Sequence, residues 1–503
     1  MKLPVGKITG KDLEDLFEKS IEHHQDMLYE AFSEYEPEDL FKKWNLLVRS
    51  IDEIINIPFE LKNISEREMF LSLPFEFMNQ ENLPKFGAVL IILQQRFGIG
   101  VAMRFQELAM MCCTIDVIYS SKGYFVSTSD LRLSNTANAI NFLQSRRLYY
   151  VTLLNLIPKI AKGTKTIDYR DTLNYFQYHI DHCMVNITSA YYNLLLNNCV
   201  ANFEVVSDGT VIIRNFNYDH LEGFFLEPQR LSLIDQLELR PDSISDNRIL
   251  PKADQKIFSF SEVANAMALF EAAFGKYKVE EHKVFKELNL FMVDIAPYLH
   301  DDFNFTVDAK AFEALSAKYK ALVLHHTNDN YLENLNSFAP FQKSGSHYHS
   351  TVVLLVRFVT RAVYQSLLKN RTFQIHSGFI FEDRIKQILK GKGYEITDFK
   401  RISRQEFDVI TIKDGKVFNF QCKNNYIDIS RVTYDYHKVG RVNRRLMNYY
   451  SKALVKESAR EHLISSSTGI SDIEHYVISR FPIIGENERI INFVDLAHWI
   501  PKS

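Results

Sequence analysis

Along the first 370 or so positions the apolar residues recur at three- and four-residue intervals, the pattern of helices that bury one stripe. Leu13, Leu16, Phe17, Ile21, Leu28, Ala31 and Phe32 place such a helix over Lys11 to Tyr35. A second, Phe41 to Ile57, is expected to stop before Pro58. Ser65 to Lys85 is irregular, with Pro74 and Pro84 as breakers, and Ala88 to Tyr119 reads as a long helix interrupted at Gly98 and Gly100. Ser129 to Tyr150 reads as two packed helices with a basic end, Arg146-Arg147. Helical spacing returns over Tyr169–Asn198, Ser261–Tyr277, Glu280–Leu299, Ala309–His325 and Thr351–Asn370. Two stretches break the rule. Phe203 to Phe216 alternates about Asp208-Gly209, predicting a two-stranded flap at 203–216. The polar run 234–256, with Pro241 and Pro251, reads as a loop or a boundary between helical subdomains. Thr327 to Ser350 is expected to be a loop.

Near the C-terminus the period changes from helix to strand. Phe381, Ile385, Ile388 and Leu389 keep helical spacing, with Ser377 as the expected N-cap and Gly391 and Gly393 ending the run. Phe407–Ile412 and Val417–Lys423 then flank Asp414-Gly415, the strongest short hairpin signal. A two-residue turn there sets Lys413 opposite Lys416, Asp408 opposite Gln421 and Glu406 opposite Lys423. Directly opposed residues share a face, so alternation puts Glu406, Asp408, Gln421 and Lys423 together. Tyr476–Ile484 and Arg489–Val494 read as two closing strands.

Composition narrows the class. At 503 residues, 46% hydrophobic and 24% charged, the chain has room for several domains and is not disordered. Its 18 glycines and 13 prolines are few, which favours long helices. A formal net charge of -3 excludes an overall basic, nucleic-acid-coating protein, so any such contact must be local. Five cysteines without paired spacing fit free thiols in a reducing, cytoplasmic compartment. The apolar runs are too short to cross a bilayer, and Met1-Lys2-Leu3-Pro4 leads straight into charged residues, so neither membrane span nor leader is expected.

An acid pair, an amide and a lysine on one hairpin face suit metal-assisted phosphodiester hydrolysis. Asp408, Glu406, the Gln421 carbonyl and Glu382, at the border of the preceding helix's apolar stripe, could supply oxygen to a hard cation such as Mg²⁺. Lys423 could orient water or offset charge on phosphate. The plain alternative is an exposed hairpin face with a Glu406–Lys423 ion pair.

Taken in order, Gly378-x-x-Phe381-Glu382, Gly393-Tyr394, Glu406-Phe407-Asp408-Val409-Ile410 and Gln421-Cys422-Lys423 resemble the Mrr-like branch of the restriction-endonuclease-like (PD-(D/E)xK) nucleases over residues 377–494. The resemblance implies a mixed central sheet flanked by helices, Mg²⁺ dependence (Mn²⁺ as substitute), DNA as substrate and a role in defence against foreign DNA. By the same match Asp408 and Glu382 are metal-binding carboxylates, Gln421 replaces the usual second acid, and Lys423 is the catalytic lysine. Glu406-Phe407 departs from the glycine that many members carry there. The expected organisation is multi-domain: a mainly α-helical region over 1–372 and an α/β restriction-endonuclease-like domain over 373–503. The helical region is expected to bind the target, a partner protein or a second copy. The rival reading is a nucleic-acid-binding or interaction protein that keeps the nuclease fold without its chemistry; RNA as substrate is a third.

After Lys423 the chain turns basic, with eight Lys or Arg against two acids between Arg431 and Arg460 and tyrosines interleaved. Arg431, Lys438, Arg441, Arg444 and Arg445 are the expected phosphate contacts, against the alternative of a solvated helix face. Elsewhere, Arg146-Arg147 could end a DNA-contacting helix-turn-helix, though two packed helices are the simpler reading. His179, His182 and Cys183 have zinc-like spacing but lack a fourth ligand, which favours a packed helix. His347 and His349 could meet metal or phosphate, with a solvated loop as the default.

Overall fold

The computed structural model describes residues 3–75, 79–122, 133–172, 177–210, 212–214, 256–326, 330–335, 337–425 and 435–501. The expected boundary at 234–256 lies outside these residues, save Lys256.

Helices build the N-terminal part. Strand β1 (Gly6–Thr9) leads into α1 (Gly10–Ser33) and α2 (Pro37–Glu60). Helix α2 runs through Pro58 instead of stopping before it. A proline in the last turn forfeits one backbone bond, and the Leu61 N–H still reaches the Ile57 carbonyl. The stretch expected to be irregular holds α3 (Ile64–Leu71), whose first N–H groups are capped by Asn63. Next come α4 (Leu83–Phe97) and α5 (Ile99–Lys122), separated where Gly98 adopts a left-handed φ of 92°. Pro84 falls in the first turn of α4, where its missing N–H costs nothing. Where two short helices were expected stands one, α6 (Thr136–Ile160), capped by Asn135. After α7 (Tyr169–Asp171) and α8 (Gln177–Cys199), strands β2 (Glu204–Ser207) and β3 (Ile212–Arg214) form the expected hairpin. It is not a two-stranded flap, because β1 pairs along the other edge of β2.

A second helical group follows: α9 (Ser261–Phe274), α10 (Lys283–Ile295), β4 (Asn304–Asp308), α11 (Ala309–Lys318), α12 (Tyr331–Leu335), β5 (Gln342–Ser344), β6 (His347–Thr351) and α13 (Val352–Leu367). The three strands make a sheet in the order β4-β6-β5, part of it within the expected loop 327–350.

The C-terminal part comprises α14 (Arg371–Gly391), β7 (Glu395–Ile396), β8 (Arg401–Ile402), β9 (Gln405–Glu406), β10 (Val409–Lys413), β11 (Lys416–Lys423), α15 (Tyr436–Ala459), α16 (Glu461–Thr468), β12 (Ile473–Ser479) and β13 (Ile490–Asn492). Its five-stranded sheet is mixed, in the order β13-β12-β11-β10-β7, with β12 parallel to both neighbours. Helix α14 starts earlier than Ser377 because Asn370 caps it; Ser377 lies inside and donates to the Gln374 carbonyl.

Core residues explain the arrangement. Phe381, Ile385 and Leu389 of α14 pack with Val409, Phe418, Phe420 and Ile478 on one sheet face. On the other, Ile410 and Val417 meet Phe407, Ile402 and Ile464 of α16. Each such side chain contributes roughly 1.5–3 kcal/mol by leaving water. The long helix α15 faces both ways: its Val439, Leu446 and Tyr450 belong to the core built by α1, α2, α6 and α8. Among the described residues no helix is long and apolar enough to cross a membrane.

Candidate functional site

The site is assembled by one turn. Asp414 and Gly415 both take left-handed φ (51° and 75°), as a two-residue hairpin turn with the twist of its strands requires. The ladder then runs from Lys413↔Lys416 to Val409↔Phe420, the register expected from that dipeptide. Alternation sends Phe418, Phe420 and Cys422 toward α14 and Asn419 and Gln421 toward α15.

Asp408 stands one residue beyond the ladder. Its Oδ2 accepts the Cys422 N–H at 2.7 Å, which ties it to the strand carrying Gln421 and Lys423. The Lys423 ammonium donates to Gln421 Oε1 at 2.8 Å and lies 5.5 Å from the centre of the Tyr449 ring. From α14, next to the buried Phe381, the half-buried Glu382 leans toward this edge. Its carboxyl is pushed up to about 7, first by burial and then by the charge of Asp408. Burial also raises the Asp408 carboxyl, against the Cys422 N–H bond and Lys423, which both favour its charge. Between them the Cys422 thiol is buried and raised far above the ordinary range, so it is inert. Asp408, Gln421 and Lys423 therefore gather at one end of strands β10 and β11, with Glu382 of α14 coupled electrostatically to Asp408.

Glu406 does not join them. It pairs with Arg401 across β8 and β9, both as a backbone partner and as an ion pair, with its side chain 70% exposed. A second two-residue turn, Ser403-Arg404, takes residues 401–406 into their own ribbon, so Glu406 never reaches a position opposite Lys423.

The expected basic contacts divide. Arg431 lies outside the described residues. Lys438 pairs with Asp435 at 3.2 Å, and Arg444 donates to the Asn198 carbonyl at 2.8 Å, fastening α15 to α8. Arg441 and Arg445 are exposed, and Lys452 and Lys456 continue the same side of α15 at helical spacing. Other candidates are absorbed by packing. Arg147 forms a buried pair with Asp52, and Arg146 pairs with Asp181 at 2.7 Å, so neither projects from a helix-turn-helix. His349 bonds to Thr306 at 3.2 Å and is held down to about 4 by burial, which keeps it neutral. His179 lies 3.3 Å from the Met27 carbonyl, and Cys183 is buried.

Among the described residues no group of three His, Cys, Asp or Glu side chains is placed to hold a metal ion. The edge at Asp408 offers a different set: two carboxylates and an amide oxygen, which still has a second lone pair beside its bond to Lys423. Burial disfavours the charged forms of both acids, and the charge of Asp408 adds to it at Glu382, so a hard cation with oxygen ligands would relieve that penalty. The donor chemistry fits such an ion.

Sequence reasoning missed the groups behind the site. Glu457 of α15 is fully buried, where it pairs with Arg460 and accepts from Asn419 at 2.9 Å. His475 lies 3.1 Å from Asn419 and 3.0 Å from Glu461. Beside the larger effects of burial, the Cys422 N–H and Lys423, Glu457 raises the Asp408 carboxyl and Arg460 lowers it. The signal was spacing: Val439, Asn443, Leu446, Tyr450 and Glu457 form one buried row of α15, with the acid where an apolar residue was due. Comparison of the chain with protein-family models, characterised proteins and solved structures returns no match.

Proposed function

We propose that the C-terminal part is a metal-dependent endonuclease with a restriction-endonuclease-like fold that hydrolyses DNA phosphodiester bonds, of the kind that restricts foreign DNA in the cytoplasm. The observation that carries this reading is the meeting of Glu382 from α14 with Asp408, Gln421 and Lys423 at one sheet edge, the two acids coupled electrostatically. In this reading Asp408, Glu382 and Gln421 hold Mg²⁺ or Mn²⁺, and the bound ion polarises a phosphoryl oxygen and lowers the pKa of a water. The Cys422 N–H fixes the Asp408 carboxylate, leaving Oδ1 open. Lys423, oriented by Gln421 and Tyr449, sets its positive charge where phosphate charge grows. Arg441, Arg445, Lys452 and Lys456 neutralise the approaching backbone.

The rival, a nucleic-acid-binding protein without chemistry, is favoured by the neutral amide of Gln421, which leaves the edge with two acids among the described residues. One experiment separates the two. Purified protein is incubated with supercoiled plasmid in Mg²⁺, Mn²⁺ or EDTA, beside Asp408→Asn. Cation-dependent nicking or linearisation by the native protein alone supports the nuclease. Equal conversion by Asp408→Asn, or none by the native protein in either cation, rejects it.

A further inference from the structure

We propose that the β8–β9 ribbon is a specificity element that enters the major groove of duplex DNA and reads base edges with Arg404 and Gln405. This deepens the nuclease reading and rests on it. The ribbon spans residues 401–406, and its last residue is two positions before Asp408. Its turn consists of Ser403 and Arg404, both left-handed (φ 48° and 67°) although neither is glycine. Such a conformation is unfavourable for side chains of this kind, and a type of strain concentrated where function needs a shape. That left-handed pair gives the ribbon the twist of a two-residue hairpin.

The ribbon is held at its base and bare at its tip. Ile402 and Phe407 are buried against Ile410, Val417 and Ile464, and the Arg460 guanidinium lies 4.4 Å from the centre of the Phe407 ring. The Phe407 N–H donates to the Lys400 carbonyl at 3.1 Å, and Arg401 pairs with Glu406 across the strands. At the tip Ser403, Arg404 and Gln405 are exposed, and among the described residues the side chains of Arg404 and Gln405 have no partner. Lys400, at the base, acts electrostatically on Glu382, so the ribbon leaves the body beside the candidate centre.

Those features match a duplex more closely than a protein partner. A two-stranded ribbon fits the major groove, and arginine and glutamine are among the side chains that pair bidentately with guanine and adenine edges. Arg404-Gln405 is such a pair, on a ribbon seated by Ile402 and Phe407. Backbone attraction is already provided by the basic side of α15, which leaves the ribbon for recognition. Four residues separate Arg404 from Asp408, roughly 13 Å of extended strand. At about 3.4 Å per base pair, the bases read lie within about four pairs of the cut.

The test selects bound duplexes from a randomised pool, with Ca²⁺ replacing Mg²⁺ to suppress cutting, for the native protein, Arg404→Ala and Arg404→Lys. The native protein should enrich a short motif containing guanine, and both variants should lose preference at one or two positions by roughly tenfold. Arg404→Lys keeps the charge without the planar fork, so it should retain affinity for unselected duplex while losing preference. The inference is overturned by no enrichment with native protein, by unchanged preference in both variants, or by an Arg404→Ala protein whose binding weakens evenly across sequences, which marks a mere phosphate contact. Binding is scored without cleavage, so an uncut plasmid in Mg²⁺ would remove the nuclease reading and leave the ribbon's result standing. Melting curves matching the native protein confirm that the exposed substitutions leave the fold intact.

Discussion

Replacing Glu382 by glutamine should stabilise the metal-free protein at alkaline pH. Its carboxyl goes from an ordinary 4.5 to about 7 on folding, through burial and the neighbouring Asp408. The folded state therefore binds this proton more tightly than the unfolded chain, and stability falls as pH rises from 4.5 through 7. Above pH 7 the whole penalty is present, at most about 3 kcal/mol at 1.4 kcal/mol per pKa unit. Glu382 keeps contact with water, so screening reduces this to about 1–2 kcal/mol. Glutamine keeps the shape and removes the charge. At pH 8 in EDTA, hydrogen exchange of the β10–β11 amides should slow by roughly 5–30-fold, the same 1–2 kcal/mol expressed as an opening constant. At pH 5.5, where the folded carboxyl is already protonated, the gain should shrink to less than half. Equal or faster exchange at pH 8 in the variant, or the same gain at both pH values, would refute the coupling of Glu382 to this edge.

Other outcomes follow from the same geometry. Asp408→Asn and Lys423→Ala should each abolish plasmid cleavage, with excess Mg²⁺ restoring part of the activity to the first and none to the second, since Asp408 is assigned to the cation and Lys423 is not. Affinity for Mg²⁺, read by calorimetry, should rise as pH increases through 7, because the proton on Glu382 competes with the ion. Changing Arg441, Arg445 and Lys452 together to alanine should weaken duplex binding evenly across sequences and lower the salt slope by about 0.9 for each phosphate no longer neutralised, measured by fluorescence anisotropy at several salt concentrations. Glu457→Ala should cost about 3–5 kcal/mol in denaturant unfolding, because Arg460 is left charged and largely buried without its partner.

Much of the candidate site was legible because it hangs on one dipeptide. Asp414-Gly415 fixed the pairing of β10 with β11, and that register carried Gln421 and Lys423 to one side. Glu406 was misplaced because Ser403-Arg404 gives no glycine or asparagine cue to its turn, yet it folds the chain back five residues before Asp408. In the helical part, period decided most elements. Pro58 failed as a stop because it falls in a last turn, and Ser377 failed as a cap because Asn370 begins the helix about two turns earlier. Strands β4 to β6 were missed for brevity, since three to five residues show too little alternation to stand out. Glu457 and Arg460 were read as members of a charged surface because sequence alone does not show which side of α15 is covered.

Helix α15 bears on how this chain can be cut, borrowed or rebuilt. It packs between α8 and β12, its Val439, Leu446 and Tyr450 joining the large core that includes both, while the Tyr450 hydroxyl receives hydrogen bonds from Asn425, two residues past Lys423, and from Ser479. A fragment beginning near residue 373 would uncover the side of α15 that meets α8. The segment that carries the candidate site is thus not a detachable cassette: transplanting it onto another scaffold would require the new host to supply a matching seat for α15.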